Sequence, residues 1–149
     1  NNLRKYKNLF LNGNNENLDN IKEYILKINP KINIYEGRYV ALNTHEFDKN
    51  DKYLAFSGIG NHKTFISMLK TNKFDIIKEL EFPDHYSYSN DDIKKIISFS
   101  KKNNCKIITT EKDYNRLSQN YNNEIKFIKS ELEISNEKEL SNNLLKLYE

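Results

Sequence analysis

The chain has one cysteine, no tryptophan, two prolines and four glycines among 149 residues. A single cysteine excludes an internal disulfide and any multi-cysteine zinc site. So few prolines and glycines exclude collagen-like and proline-rich architectures. The three histidines lack clustered spacing, so no metal ligand set is expected. No run approaches the roughly 18 to 20 apolar residues that cross a bilayer, so no transmembrane helix is expected. An apolar stretch of signal-peptide type is missing near the first residue. One-sided charge is missing too: Lys plus Arg number 24 against 21 Asp plus Glu, a net charge of +3. The sequence pI of about 8.8 is mild, without the clustered basicity of a nucleic-acid binder, and no nucleic-acid partner is expected.

What is present points to a small globule. Aromatic residues make up 12% of the chain, too many for intrinsic disorder, although hydrophobic residues reach only 37%. The length fits one compact domain, or one domain plus an appendage. Lysine supplies 21 of the 24 cations, and Asn and Ile are abundant. This reads as the codon bias of an AT-rich genome, which makes most Asn and Lys solvated filler. The first residues, Asn1-Asn2, lack a methionine, as expected of a fragment or a processed product.

Strand and helix periodicities alternate along the chain. Lys5 to Leu11 reads as a strand ending in an Asn/Gly turn at 12–15. Leu18, Ile21, Ile25 and Ile28 recur at helical spacing, and Pro30 closes that helix. Ile32 to Leu42 is β-rich and interrupted by Gly37, so one bent strand or two short ones fit. Asn43 to Lys52 is polar and reads as a linker. Then follow a strand at Tyr53–Phe56, a helix at His62–Lys70, a strand at Phe74–Phe82 and a helix opened by Ser89 with Asp92 as capping-box partner. A strand at Lys106–Thr109, a short helix at Lys112–Leu117, a strand at Ile125–Ile128 and a helix capped by Ser135, with Leu140, Leu144 and Leu147 inward, complete the pattern. Alternation of this kind predicts an α/β fold: a small, mostly parallel, Rossmann-like sheet flanked by helices, preceded by a βα segment and a linking strand.

Three polar motifs share one topological position. Ser57-Gly58-Ile59-Gly60-Asn61, Pro83-Asp84-His85-Tyr86-Ser87-Tyr88 and Thr109-Thr110-Glu111-Lys112-Asp113 each follow a strand and precede a helix. In a parallel sheet these carboxyl ends share one edge, where α/β folds bind ligands. The first motif offers backbone approach and helix N–H groups to an anion, or is a tight turn; it is neither a Walker A loop nor GxGxxG. In the second, Asp84 and His85 pair a carboxylate with an imidazole suited to proton transfer, or are a turn cap and a surface histidine. Tyr86 and Tyr88 can stack on a base or wall a polar pocket. In the third, Thr110 caps a helix, Lys112 can meet a phosphate, and Asp113 can pair with Lys112 or Arg116. Cys105 reads as a small core residue.

The three motifs in this order, GIGN at 58–61, FPDHYSY at 82–88 and TTEKDYNRL at 109–117, resemble the C-terminal region of tetraacyldisaccharide 4'-kinases, the lipid A 4'-kinases. The likeness is dense over Tyr53–Leu117. The family's GIGN is usually followed by Pro, where this chain has His62.

The resemblance implies the C-terminal portion of an ATP- and Mg²⁺-dependent kinase that phosphorylates the 4' hydroxyl of the tetraacyldisaccharide 1-phosphate precursor of lipid A. Residues 1–46 would then be the end of a nucleotide-binding domain and its connecting β segment, and 47–149 a C-terminal α/β domain. ATP and Mg²⁺ would be bound by an N-terminal P-loop domain of the same enzyme, this portion binding no cofactor and being inactive alone. His85 would reach the cleft to support an acid of that other domain, with Asp84 holding its tautomer. Gly58, Gly60, Asn61, Tyr88, Thr110, Glu111, Lys112 and Asp113 would line the substrate side of the cleft. The implied setting is the cytoplasmic face of the inner membrane of a Gram-negative bacterium, with membrane contact through the other half and this portion itself soluble. A different class also fits the anion-friendly turn: a standalone module binding a phosphorylated or nucleotide ligand through Gly58–Gly60 and Lys112.

Overall fold

A computed structural model of the chain describes residues 2–13, 18–117, 121 and 123–145. The expected turn residues at 14–15 and the inward Leu147 lie outside these. The described chain forms two compact units, Asn1–Tyr39 with Leu132–Glu149, and Val40–Glu131.

The first unit is built on a βαβ arrangement. Strand β1 (Asn8–Asn12) runs parallel to β2 (Asn33–Ala41), from Asn8 opposite Asn33 to Asn12 opposite Gly37. Helix α1 (Leu18–Ile28) connects them and buries Ile25. It ends ahead of Pro30, which cannot continue the backbone ladder. Asn29 then ties the exit down, its Nδ2 donating to the carbonyls of Leu3 and Tyr6. Strand β2 is continuous through Gly37, which resolves the expected bend. A Cβ there would stand 2.5 Å from the Phe10 ring and 2.9 Å from Leu132, so only glycine lets those side chains cross the strand.

A further strand, β7 (Ser130–Ile134), completes a mixed sheet of order β1-β2-β7. Its Ser-Glu-Leu-Glu-Ile sequence carries too little apolar weight to announce a strand. Helix α5 (Glu137–Leu145) follows Asn136, whose φ is 61°. This helix buries none of its residues, and Leu144 is 47% exposed, against the inward position expected of it. Its tether is polar: Asn143 Nδ2 donates to the Tyr35 hydroxyl.

The second unit is a four-stranded sheet of order β4-β3-β5-β6, with β3 Lys52–Ser57, β4 Asp75–Glu81, β5 Lys106–Thr110 and β6 Ile125–Ile128, every pair parallel. Parallel strands buried on both faces read as continuous apolar runs. Accordingly Tyr53, Leu54, Ala55 and Phe56 of the central strand are all at most 2% exposed. One face meets α2 (His62–Thr71) through Phe65, Met68 and Leu69; the other meets α3 (Asn90–Asn103) through Ile93, Ile96 and Ile97. The capping box of α3 forms as its sequence predicts, Ser89 accepting from the Asp92 N–H while the Asp92 carboxylate accepts from the Ser89 N–H.

The polar stretch Asn43–Lys52 is packed, unlike a linker. Phe47 sits edge-on to Phe74 and Tyr53, at 5.4 and 6.2 Å between ring centroids. Asn43 is buried, donating to the Phe127 carbonyl and accepting from the Lys129 N–H. Burial pushes the Tyr53 hydroxyl up to about 12, and it donates to the Asp48 carbonyl at 2.7 Å. Among the described residues no helix is long and apolar enough to cross a membrane.

Candidate functional site

The strand register brings the ends of β3, β4 and β5 level. Ser57 stands opposite Glu81, and Phe56 opposite Thr109. The three motifs therefore leave the sheet side by side, and side chains distant in sequence meet there.

Gly58 is the hub. Its carbonyl accepts from the His85 N–H at 3.0 Å and from Arg116 Nη1 at 3.0 Å. Pro83 O, the Tyr86 Cβ and the Tyr88 hydroxyl lie 3.0–3.1 Å from where a Cβ would project at Gly58. Two of these three cannot swing away, so Gly58→Ala forces the second loop outward. The expected cost is about 1–3 kcal/mol, read as a lower urea midpoint at unchanged m value. Gly60 faces Asp84, whose carboxylate would be 3.4 Å from an added Cβ. Asn61 caps α2, its Oδ1 accepting from the Thr64 N–H at 3.1 Å.

The second loop presents His85. The residue has φ 59°, a left-handed conformation in which histidine is enriched among non-glycines. Its N–H, shared between Gly58 O and Asp84 Oδ1 at 3.0 Å each, holds it there. The ring projects outward with 81% of the side chain exposed. Asp84 Oδ2 is 3.8 Å from Nε2, longer than a hydrogen bond, so Asp84 engages His85 through the backbone. Behind the loop, Phe56, Phe82, Tyr86 and Tyr88 pack as a ring cluster with centroids 4.9–6.3 Å apart. The two tyrosines pack edge-on to each other at 5.3 Å between ring centroids, as part of the wall of this loop.

The third loop contributes a buried carboxylate. Asp113 is fully buried, in the short helix α4 (Glu111–Tyr114) that Thr110 caps. Its Oδ1 accepts from the Tyr88 hydroxyl at 3.0 Å and from Arg116 Nη1 at 3.3 Å, and its Oδ2 from the Thr110 hydroxyl at 2.6 Å. Burial, then the neighbouring carboxylate, pushes the Tyr88 hydroxyl far up, so it stays a proton donor to Asp113. Glu111 and Lys112 lie exposed on the same helix. The alternative partners of Asp113 thus resolve in favour of Arg116.

Arg116 was visible in the sequence only as a possible partner of Asp113. Its Nη2 lies 3.2 Å from His85 Nδ1, and it joins all three loops. The signal that could have found it is compositional: lysine outnumbers arginine 21 to 3, so an arginine here stands out where planar, multiple donation is needed. His62 was missed as well. It is 5% exposed at the first position of α2, and its Nδ1 stands 2.7 Å from the Ser57 hydroxyl.

Burial holds the His62 imidazole below its ordinary value, so the folded chain keeps it neutral. The unfolded chain takes up that proton near pH 6.5, the folded chain only at lower pH. The His62 contribution to stability is therefore full above about pH 6.5 and falls as the pH drops below it. Urea midpoints measured from pH 7.5 to 5 should decline in the wild type and decline less in His62→Gln. Parallel profiles would refute the assignment.

Among the described residues no group of three or more His, Cys, Asp or Glu is placed to hold a metal ion. What the site offers is an exposed imidazole on a loop braced by Tyr88, the buried Asp113 and Arg116, while Asp84, Gly60, Asn61, Glu111 and Lys112 are exposed on the three segments that leave these strand ends.

A family model described as LpxK, tetraacyldisaccharide-1-P 4'-kinase, matches residues 2–149. The tetraacyldisaccharide 4'-kinase of Pelagibacter ubique is 59% identical over 149 residues, all of this chain and 48% of that protein. That of Rickettsia canadensis is 38% identical over 121 residues, 80% of this chain and 36% of that protein. The chain spans about half the length, or less, of these curated relatives. A crystal structure of LpxK from Aquifex aeolicus in complex with ATP has 19% identity and a TM-score of 0.46 over 98% of this chain and 53% of that one.

Proposed function

The chain belongs to the tetraacyldisaccharide 4'-kinase family, and on that premise we propose that it is the C-terminal part of an ATP-dependent kinase acting on the 4' hydroxyl of a tetraacyldisaccharide 1-phosphate. The observation that carries this reading is the meeting of the GIGN, PDH and TEKD loops around one outward imidazole.

Phosphoryl transfer relies on positioning and on charge stabilisation more than on covalent steps by the protein. ATP supplies the γ-phosphoryl group and Mg²⁺ neutralises its charge, both held by a P-loop domain that these residues do not contain. Here the residues have a different task. His85 faces outward from its braced loop and supports, by a hydrogen bond, a carboxylate of that other half. This carboxylate takes the proton of the 4' hydroxyl as the oxygen bonds to phosphorus and the bond to the ADP leaving group breaks. Asp84, Gly60, Asn61, Thr110, Glu111 and Lys112 form the substrate-side wall, and Gly58, Tyr88 and Asp113 its backing. The whole enzyme works at the cytoplasmic face of the inner membrane, its membrane contact made by the other half.

The test compares ATP turnover by the 149-residue chain and by the full-length protein that carries it, with a tetraacyldisaccharide 1-phosphate acceptor. Turnover by the full-length protein alone is expected. Equal turnover by the isolated chain would overturn the division of labour, and none by the full-length protein would overturn the activity.

A further inference from the structure

We propose that Arg116 is a positioning residue for this reaction: it docks on Nδ1 of His85 and so fixes the ring with Nε2 outward and protonated. The inference rests on the kinase reading above and adds to it the device that aims the imidazole.

An arginine side chain carries donors only, so the nitrogen it meets must be the acceptor. Arg116 Nη2 stands 3.2 Å from Nδ1, which leaves the proton of the neutral ring on Nε2. The guanidinium is itself held from behind. Its Nη1 donates to Gly58 O and to Asp113 Oδ1, and the Asp113 side chain is fully buried while Arg116 is 26% exposed. A planar group pinned at one nitrogen presents the other in a fixed direction.

His85 needs such a contact. With 81% of its side chain exposed, packing does not choose between its two flipped ring orientations. Asp84 makes no hydrogen bond to the ring either: its Oδ1 accepts from the backbone N–H, and its Oδ2 stands 3.8 Å from Nε2, within ion-pair but beyond hydrogen-bond distance. Gly58 O accepts from both the His85 N–H and Arg116 Nη1, so one carbonyl registers the backbone of the histidine and the guanidinium that holds its ring. A lysine at 116 keeps the charge beside Asp113 but is a single point donor, unable to span Gly58 O, Asp113 and Nδ1 together. The proton held outward on Nε2 is the one a carboxylate of the other half would accept as a hydrogen bond.

Two measurements test this. In the full-length enzyme, Arg116→Lys is expected to lower kcat about 10- to 100-fold with KM within about twofold, the signature of a misaimed group. Added to His85→Ala, the same substitution is expected to cost nothing further, because its effect passes through the ring. Wild-type kcat in Arg116→Lys, or losses that multiply in the double variant, would overturn the proposal.

Separately, ¹⁵N–¹H correlation spectra of the neutral His85 ring in the 149-residue chain should show Nδ1 bare and Nε2 protonated, with a mixture of both forms in Arg116→Lys. A wild-type ring protonated on Nδ1 would also overturn it. If His85→Ala by itself leaves kcat intact, the role given to His85 falls and this proposal with it, whereas the spectra judge the arginine–imidazole contact without reference to activity.

Discussion

Replacing His85 by alanine in the full-length enzyme is expected to lower kcat about 10²- to 10⁴-fold, the range for losing a positioned proton-handling group. KM should move much less. The ring is 81% exposed, and the two hydrogen bonds that hold the loop come from the backbone N–H, so the substitution leaves the scaffold in place. Its effect on stability should stay within about 1 kcal/mol. Steady-state kinetics paired with urea unfolding separate the two effects. A variant that keeps its rate would show that the imidazole is an ordinary surface group. A variant that loses rate only in proportion to folded fraction would show that the loop matters for stability and not for the reaction.

The second large effect is structural. Asp113→Ala removes a fully buried carboxylate that accepts from Tyr88, Thr110 and Arg116. Breaking a buried ion pair by deleting one partner costs about 3–5 kcal/mol, because the remaining groups lose their acceptor and cannot all be rehydrated. Arg116 retains some contact with water, so the loss should fall near the lower end, about 3 kcal/mol. Asp113→Asn keeps the shape and one acceptor oxygen but not the charge, and should cost less. Urea midpoints at unchanged m value give both numbers. A loss below about 0.5 kcal/mol for Asp113→Ala would mean that the network is dispensable.

Both predictions concern a site whose parts were unequally legible. Strand and helix positions in the second unit could be read because its strands are continuous apolar runs and its helices carry apolar residues at three- and four-residue spacing. The capping box at Ser89 and the cap at Thr110 were readable for a local reason: a side chain bonding a backbone three residues away depends on few other contacts. Strand β7 was not readable, since its alternation rests on only two apolar residues, Leu132 and Ile134, set between glutamates. Helix α5 misled in the opposite sense. Its leucines recur at helical spacing, yet Asn143, not that face, ties it to Tyr35. The polar stretch from Asn43 looked like a linker because its few buried groups, Asn43 and Phe47, are diluted by charge.

The residues at the site divide the same way. Asp84, His85 and the glycines were identifiable from residue type, because few side chains titrate near neutrality and few positions tolerate a backbone at van der Waals contact. Arg116 and His62 took their meaning from neighbours 31 and 5 residues away, and nothing in local spacing announces such pairings.

The sequence by itself determined the α/β alternation, the three polar loops after their strands and the family, because these depend on local periodicity and residue chemistry. Tertiary structure alone decided that β7 joins the first unit's sheet, that Asp113 is the buried brace, and that an arginine rather than Asp84 meets the imidazole. Those outcomes depend on strand register and on distances across the fold, which local periodicity does not specify.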